Sequence, residues 1–383
     1  MLNFTADWCK KWRMSINADK TQIVHFRPPS RIKSPHVFYF ESEILKTVSH
    51  YKYLGVIFDE HLNFELNASI LADAACRALG AIRSKLKNLK ECGYGAFNTL
   101  FNAGVLSICD YSAGVWGTKT FNKTEQVQYK AARYYLGVHR FAPVDALLGD
   151  MGWTSAKSRH KILILKHWNR MCLLPDDRLT KKIFVWDVQN FSNKKGCWSH
   201  KVKDIFHDIC EDDIFESLSL CDIDNCKSNL ATIENDNWDI RRYSSEKLRY
   251  YNMYKIDNTR AEYVTMNISK YQRSLYAQFR IGILPLEIEV GRFHNIELNL
   301  RLCKLCNLDV VEDEIHFLCD CPKYSEYRNT LFQIAINSLP TFMNTDSLDK
   351  FVYLIANHER AVIDFVYKAF RLRQGCIIYE PDS

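Results

Sequence analysis

Four potential metal ligands lie close together near the C-terminal end of the sequence, within residues 301–328. Cys303 and Cys306 are separated by two residues, a spacing that lets two thiolates approach one cation from a single tight turn. His316 and Cys321 follow within the next fifteen residues. Three sulfurs and one imidazole form a closed tetrahedral set for Zn²⁺, with no open position for a water molecule. The sequence therefore predicts a structural zinc site rather than a catalytic one.

The residues alone leave two choices for the fourth ligand, because Cys319 competes with Cys321. On a continuous helix, a residue three positions after His316 lies about 300° around the axis, whereas one five positions after it lies about 500° around, or 140° away. Local geometry therefore favours Cys319, unless the helix ends early or turns irregularly before Pro322, a residue type that disfavours helix at the position before it. A further alternative is that these cysteines are reduced core residues without a metal.

Length and composition indicate folded domains and leave the partner open. The 383 residues suffice for two or three domains of about 150 residues each. A hydrophobic fraction of 47% argues against wholesale disorder, and a formal net charge of +6 permits a nucleic-acid partner without requiring one. The N-terminus lacks the pattern of a secretory signal, and no apolar run reaches the length of a membrane span. We therefore expect the 14 cysteines to be reduced, in an intracellular protein with no membrane partner.

The hydrophobic pattern predicts a mainly α fold with a small β-hairpin or sheet region at the N-terminus. Phe4, Trp8 and Trp12 recur at helical spacing and predict a short helix over residues 4–16 with these aromatic side chains on its apolar face. Residues 22–26 and 51–58 are strand-like, and residues 37–48 predict a hairpin.

Helical spacing dominates the remainder of the chain. Residues 67–89, 97–106, 125–136 and 157–173 predict helices, residues 225–237 predict a polar linker, and further helices are expected to end at about 337, 356 and 372, the last closed by Gly375. The first of these helices has an apolar stripe formed by Leu71, Ala75, Leu79, Ile82, Leu86 and Leu89.

The helix predicted over residues 157–173 is the most basic one in the chain, and Ser155 is a suitable N-cap for it. Its basic positions, which we predict to contact nucleic acid, are Lys157, Arg159, Lys161, Lys166 and Arg170. Lysine and arginine side chains on a helix can bind phosphates without reading sequence. The alternative is an ordinary solvated helix face.

The order of motifs in the C-terminal region resembles a known protein family. After Cys-x2-Cys come Glu312-Asp-Glu-x-His-Phe-Leu318, then Cys321-Pro-x-Tyr324, then Arg328. This order resembles the cysteine/histidine module near the C-terminus of non-LTR retrotransposon reverse transcriptases, of which the jockey-like group is most similar. The resemblance favours Cys321 over Cys319 as the fourth zinc ligand and places Cys319 in the core.

The N-terminal region resembles the same family. The stretch from Trp8 to Thr21 is similar to the end of the reverse transcriptase palm, where a lysine at the position of Lys20 assists the departure of pyrophosphate. Tyr53-Leu54-Gly55 is similar to the primer grip, a hairpin that holds the 3′ end of the primer. Without the resemblance, Lys20 would be a solvated turn lysine and the other three residues would belong to a strand with a bulge.

The resemblance implies five regions. Residues 1–60 would be the end of the palm with the primer-grip hairpin, 61–150 a helical thumb, 151–285 a helical connection, 286–335 a zinc-knuckle-like Cys/His module, and 336–383 the C-terminal helices. Tyr53, Leu54 and Gly55 would join the basic helix in binding RNA or an RNA–DNA hybrid.

The chemistry of the family needs palm carboxylates that hold Mg²⁺. The family motif is an aromatic residue followed by Ala-Asp-Asp, and the one superficially similar stretch, Phe4-Thr-Ala-Asp7, carries a single carboxylate. We therefore expect a truncated remnant of an RNA-directed DNA polymerase that is inactive alone, with Mg²⁺ acting only in an intact parent enzyme. The alternatives are a stand-alone nucleic-acid-binding protein and a zinc-stapled structural or interaction module.

Overall fold

Helices make up most of the described chain, with three small two-stranded sheets near its N-terminal end. The computed structural model describes residues 2–17, 20–41, 43–87 and 92–378. The predicted fold class, mainly α with a small N-terminal β region, is confirmed. Within these residues, no helix combines the length and the apolar character needed to cross a membrane.

The strands lie between residues 22 and 59. They are β1 Gln22–Val24, β2 Tyr39–Phe40, β3 Glu43–Ile44, β4 Lys46–Val48, β5 His50–Tyr53 and β6 Val56–Asp59. Strands β1 and β4 pair in parallel, whereas β2–β3 and β5–β6 are antiparallel pairs. The first antiparallel pair confirms the predicted hairpin. The strand-like run 51–58 is a second hairpin, because Leu54 and Gly55 both have positive φ, 46° and 87°, and turn the chain back in two residues.

The α-helices occupy most of the described chain outside the strand region. They are α1 Leu2–Lys11, α2 Glu65–Lys87, α3 Tyr94–Phe101, α4 Ser107–Cys109, α5 Ala113–Trp116, α6 Asn122–Leu136, α7 Val144–Met151, α8 Ala156–Cys172, α9 Leu179–Phe191, α10 Trp198–Asp208, α11 Asp212–Glu216, α12 Ile223–Tyr243, α13 Tyr251–Tyr254, α14 Lys270–Arg280, α15 Glu287–Phe293, α16 Ser325–Ser338, α17 Ser347–Asn357 and α18 Glu359–Ile378. A π-helical turn, Asn102–Leu106, joins α3 to α4.

Helix α1 has the predicted helical spacing but buries the opposite face. Phe4, Trp8 and Trp12 are between 45% and 75% exposed, and Ala6 and Cys9 are buried instead. The helix packs on β2, and its buried side carries Ala6 and Cys9, with Leu2 partly buried. The prediction that the aromatic residues form the buried face is therefore wrong.

Helix α2 uses the predicted stripe. Ala75 and Leu79 are buried, and Leu71, Ile82 and Leu86 are half-buried, while Leu89 lies outside the described residues. Since α2 packs mainly against α6 and α4, this face anchors the first helical group.

Two segments are more helical than predicted. The polar stretch 225–237, expected to be a linker, belongs to α12, in which Cys226, Leu230 and Trp238 are buried. The apolar stripe of α12 has only one buried side chain per turn. Such a stripe is too narrow for the hydrophobic periodicity of the sequence to indicate a helix. Helix α18 continues through Gly375 to Ile378, so that glycine does not end it.

One continuous hydrophobic core extends from α2 to α18. It runs from Ala72 in α2 to Phe370 in α18 and includes Cys303, Cys319 and Cys321. A second cluster, centred on Trp168, lies among α8 to α12. The core therefore positions the cysteine/histidine segment rigidly against the C-terminal helices. The division into five regions stays a prediction.

Candidate metal centre and predicted binding residues

The four predicted zinc ligands lie together in space. Cys303 and Cys306 belong to a turn whose base is fixed by a β-bridge between Leu302 and Val311 and by a hydrogen bond from Cys303 N to Val310 O (2.9 Å). The turn faces the segment that carries His316 and Cys321.

A π-helical turn, His316–Asp320, brings Cys321 rather than Cys319 to the side of His316, so that Cys321 is the fourth potential ligand. Cys321 N donates to His316 O over 2.8 Å, an i→i+5 hydrogen bond that brings residue 321 back over residue 316. Cys321 then leaves the helix with φ −58° and ψ 119°, the extended conformation favoured before Pro322. Cys319 is buried in the core and lies outside the ligand group.

The distances suit a tetrahedral ion. Cys303 Sγ and Cys321 Sγ are 4.0 Å apart, Cys306 Sγ and His316 Nε2 are 3.4 Å apart, and all four ligand atoms lie within 4.8 Å of one another. Zn–S bonds of about 2.3 Å place the sulfurs of a tetrahedral site about 3.8 Å apart. The cluster can therefore hold one metal ion with only small movements of the side chains.

The thiols influence one another's ionisation. A hydrogen bond from the Cys321 thiol lowers the pKa of Cys303 and raises the pKa of Cys321 itself. Burial raises the pKa of Cys306. Without a metal, the site therefore stabilises a thiolate at Cys303 and keeps the other two thiols protonated. Metal binding would release those protons, since the thiolate is the ligand.

The π-helical turn is held by two charged side chains outside the ligand set. Arg328, which is buried, donates from Nε to Leu318 O (2.8 Å) and from Nη2 to Cys321 O (2.7 Å). Asp313 accepts a hydrogen bond from His316 N (2.8 Å). These contacts fix the backbone at both ends of the turn, and thereby the positions of two ligands. The sequence singled out Arg328 only as part of the family motif.

A buried ion cluster ties the metal segment to α18. Arg373 donates from Nη2 to Glu312 Oε2 (2.6 Å) and to Glu287 Oε1 (3.2 Å), and Glu312 also accepts from the backbone N of Glu287 (2.8 Å). Sequence reasoning missed Arg373 and named Glu312 only as part of the family motif. Glu312 precedes the helical turn and is completely buried. The run of acidic residues from Glu312 to Glu314, so close to the metal ligands, was the sequence signal that could have indicated a buried basic partner.

The residues that resemble the primer grip form the tip of the β5–β6 hairpin. Tyr53 and Leu54 are exposed there, and Gly55 provides the second positive φ of the turn. Lys20 is exposed in a turn stabilised by Asn17, whose Oδ1 accepts from Lys20 N over 3.0 Å. The roles of these residues stay predictions.

The five basic residues of α8 do not share one environment. Ser155 caps the helix, with Oγ accepting from Ser158 N over 3.1 Å. Lys157, Lys166 and Arg170 are exposed. The other two are paired within the protein: Arg159 with Asp110 (3.0 Å) and Lys161 with Asp208 (2.6 Å). Three of the predicted contact residues are therefore available to an external phosphate.

Asp110 is the centre of a small buried network. It binds Arg159 and also His160, whose Nε2 lies 3.1 Å from Asp110 Oδ1. Burial alone would raise the pKa of Asp110, but the hydrogen bonds and positive charges of His160 and Arg159 outweigh it and lower the pKa below its ordinary value of 3.8. The carboxylate thus anchors the connector before α5 to the N-terminal half of α8.

Comparison with protein families, with curated proteins and with solved structures gives no match to this chain. The functional assignment therefore depends on the residues and their geometry.

Proposed function

We propose that this chain is the C-terminal part of a non-LTR retrotransposon reverse transcriptase of the jockey-like group, an RNA-directed DNA polymerase. The observation that carries the proposal is the four-ligand cluster at the family's motif positions, together with Arg328 of α16, whose side chain binds carbonyls of the turn that joins His316 to Cys321. The two-residue turn at Leu54 and Gly55, at the tip of a hairpin and ahead of a helical group, agrees with a primer grip followed by a thumb.

The ion in the cluster is proposed to be a structural Zn²⁺. Cys303, Cys306, His316 and Cys321 complete a tetrahedral set, so no position is left for a reactive water. Two ligands come from a turn and two from the ends of a π-helical turn, and an ion would cross-link these segments. Its binding would contribute directly to the folding free energy of the C-terminal region.

This chain is proposed to have no polymerase activity alone, since its sequence offers no Asp-Asp pair after an aromatic-Ala motif, and Mg²⁺ would act only in an intact parent enzyme. The test is primer extension on an RNA template with Mg²⁺ or Mn²⁺, for which we expect no product. Extension that is abolished by a substitution within this chain would refute the proposal.

Residual binding to RNA or an RNA–DNA hybrid is proposed to use phosphate contacts. Lys157, Lys166 and Arg170 are the exposed cations of α8. Three phosphate contacts give a salt slope of about −2.7, so the affinity should fall about 40-fold between 50 and 200 mM salt.

The binding test compares two triple variants. Lys157→Glu, Lys166→Glu and Arg170→Glu together should remove most of the salt-dependent binding. The matched control reverses three exposed lysines elsewhere, Lys182, Lys195 and Lys323, and should lose much less. Equal losses would show that only net charge matters and that α8 is not the binding surface.

A second candidate function is a zinc-stapled interaction module. It is favoured by the number of buried hydrogen bonds and ion pairs that surround the four-ligand cluster. Arg328 and Arg373 both stabilise the metal segment without facing solvent. This candidate predicts no salt-dependent nucleic-acid binding at all. A stand-alone nucleic-acid-binding protein would instead bind as above, with no palm-coding sequence upstream in its genomic locus.

A further inference from the structure

We propose that Asp110 and Tyr111 are positioning residues that join the tip of the β5–β6 hairpin and helix α8 into one surface for the end of a nucleic-acid duplex. This inference rests on the proposed function, because it names the residues that would arrange its nucleic-acid contacts. Sequence reasoning predicted nucleic-acid contacts at the tip and on α8 without relating the two in space.

Tyr111 holds the hairpin tip. Its hydroxyl donates a hydrogen bond to Leu54 O over 3.0 Å. Its ring lies against Gly55, where a Cβ would come within 2.8 Å of Tyr111 Cε1. Since Leu54 and Gly55 form the whole two-residue turn, this single side chain contacts both of its residues. The orientation of the tip relative to the helices therefore depends on Tyr111.

The adjacent residue fixes Tyr111 to α8. Asp110 accepts hydrogen bonds from Arg159 Nε (3.0 Å) and pairs with the buried His160 (3.1 Å). Trp116 Nε1 donates to Tyr111 O over 2.7 Å, which fixes the backbone between these two anchors. Two consecutive residues thus connect the hairpin tip on one side with α8 on the other.

The surface that results continues along α8. Because Arg159 is neutralised by Asp110, the cations on this face of α8 that are left for phosphates are Lys166 and Arg170, with Lys52 exposed on β5. Lys166 and Arg170 are four residues apart, which places them within about 40° of each other around the helix and about 6 Å apart along its axis. That length corresponds to about two base pairs of a duplex.

The exposed side chains at the hairpin tip and on α8 indicate which form of nucleic acid would bind this surface. Tyr53, Leu54 and Tyr111 expose aromatic and aliphatic surface at the tip, suited to the flat face of a terminal base pair or its sugar. The exposed cations of α8, the helix to which Asp110 is fastened, suit the phosphates of the strand that leads away. The end of a duplex satisfies both requirements, whereas a duplex without a free end offers only phosphates.

The test uses Tyr111→Phe, which removes only the hydroxyl that binds Leu54. Its matched control is Tyr271→Phe: the two tyrosines are 46% and 45% exposed, and Tyr271 also loses a single hydrogen bond, to Gln374 (3.2 Å). The probes are a short RNA–DNA hybrid with open ends and the same hybrid with both ends closed by loops. Affinity is measured for each protein with each probe.

We expect Tyr111→Phe to bind the open-ended hybrid about three- to tenfold more weakly than wild type, the loss expected for one hydrogen bond. Tyr271→Phe should bind like wild type, and the closed hybrid should be insensitive to both changes. Backbone amides of residues 50–59 should exchange hydrogen faster in Tyr111→Phe and in Asp110→Asn than in the control.

Three results would overturn the inference. Equal affinities of Tyr111→Phe and Tyr271→Phe for the open-ended hybrid would refute it while leaving the proposed nucleic-acid binding intact. Equal hydrogen exchange at residues 50–59 would show that Tyr111 does not position the tip. If wild type bound neither probe in a salt-dependent way, the proposed binding function would fail as well.

Discussion

Replacing Arg373 by leucine should destabilise the protein by about 3 kcal/mol. Its guanidinium binds Glu312 at 2.6 and 2.9 Å and Glu287 at 3.2 Å, and all three side chains are less than 8% exposed. Breaking such a buried pair typically costs about 3–5 kcal/mol, because an uncompensated charge is left behind. The lower end applies here, since Glu312 keeps a hydrogen bond from Glu287 N and Glu287 keeps Lys304 at 3.2 Å.

Urea denaturation measures this loss. With an m-value of about 3 kcal/mol/M, the midpoint should fall by about 1 M with little change in m. Arg371→Leu is the matched control, because Arg371 lies two residues earlier on α18, is exposed and, among the interactions described, contacts only Tyr367, through its hydroxyl and its ring. It should change stability by less than about 0.5 kcal/mol. An equally small effect of Arg373→Leu would refute the argument that the ion cluster fastens α18 to the metal segment.

Three further outcomes are expected. Arg328→Lys keeps the charge but loses the two-pronged contact with the carbonyls of the π-helical turn, so zinc affinity measured by chelator competition should fall about 10- to 100-fold; unchanged affinity would contradict this. Gly55→Ala forces alanine to φ +87° and against Tyr111, and should cost about 1–3 kcal/mol in thermal or urea unfolding, whereas a neutral effect would mean that the turn adapts. Because the pKa of Asp110 is lowered in the folded state, its contribution to stability is present above pH 3.8 and is lost as the pH falls below that value. In Asp110→Asn, the free energy of unfolding should therefore depend less on pH in this acid range. Parallel plots of unfolding free energy against pH for the variant and wild type would refute the assignment.

Local patterns predicted much of the fold and of the metal site. The spacing of Cys303 and Cys306 indicated their shared turn, because two residues between thiols leave few conformations that reach one ion. The periodicity of α2 identified its buried stripe. The conflict at Cys321 was visible from helix geometry, but the residues alone left the fourth ligand open and only the resemblance favoured Cys321; the π-helical turn is what brings that residue to the site.

Contacts between distant parts of the chain could not be predicted in this way. Helix α1 shows why: its aromatic period was clear, but the side that packs on β2 depends on how the hairpin lies. Arg373 is 61 residues from Glu312 in the sequence, and the residues around neither of them indicate that the two form an ion pair. The pairing of Arg159 with Asp110 and of Lys161 with Asp208 likewise could not be predicted, since a basic helix face does not reveal which cations have partners inside the fold.

Zinc content of two serine variants tests the central claim most directly. We expect wild type and Cys319→Ser each to contain one Zn²⁺ per chain, because Cys319 is buried in the core outside the ligand group. Cys321→Ser should lose the stoichiometric metal and loosen the C-terminal helices, because the fourth ligand and its folding free energy are removed. Zinc retained in Cys321→Ser and lost in Cys319→Ser would contradict the account, because the helix would then continue past His316 without the π-helical turn.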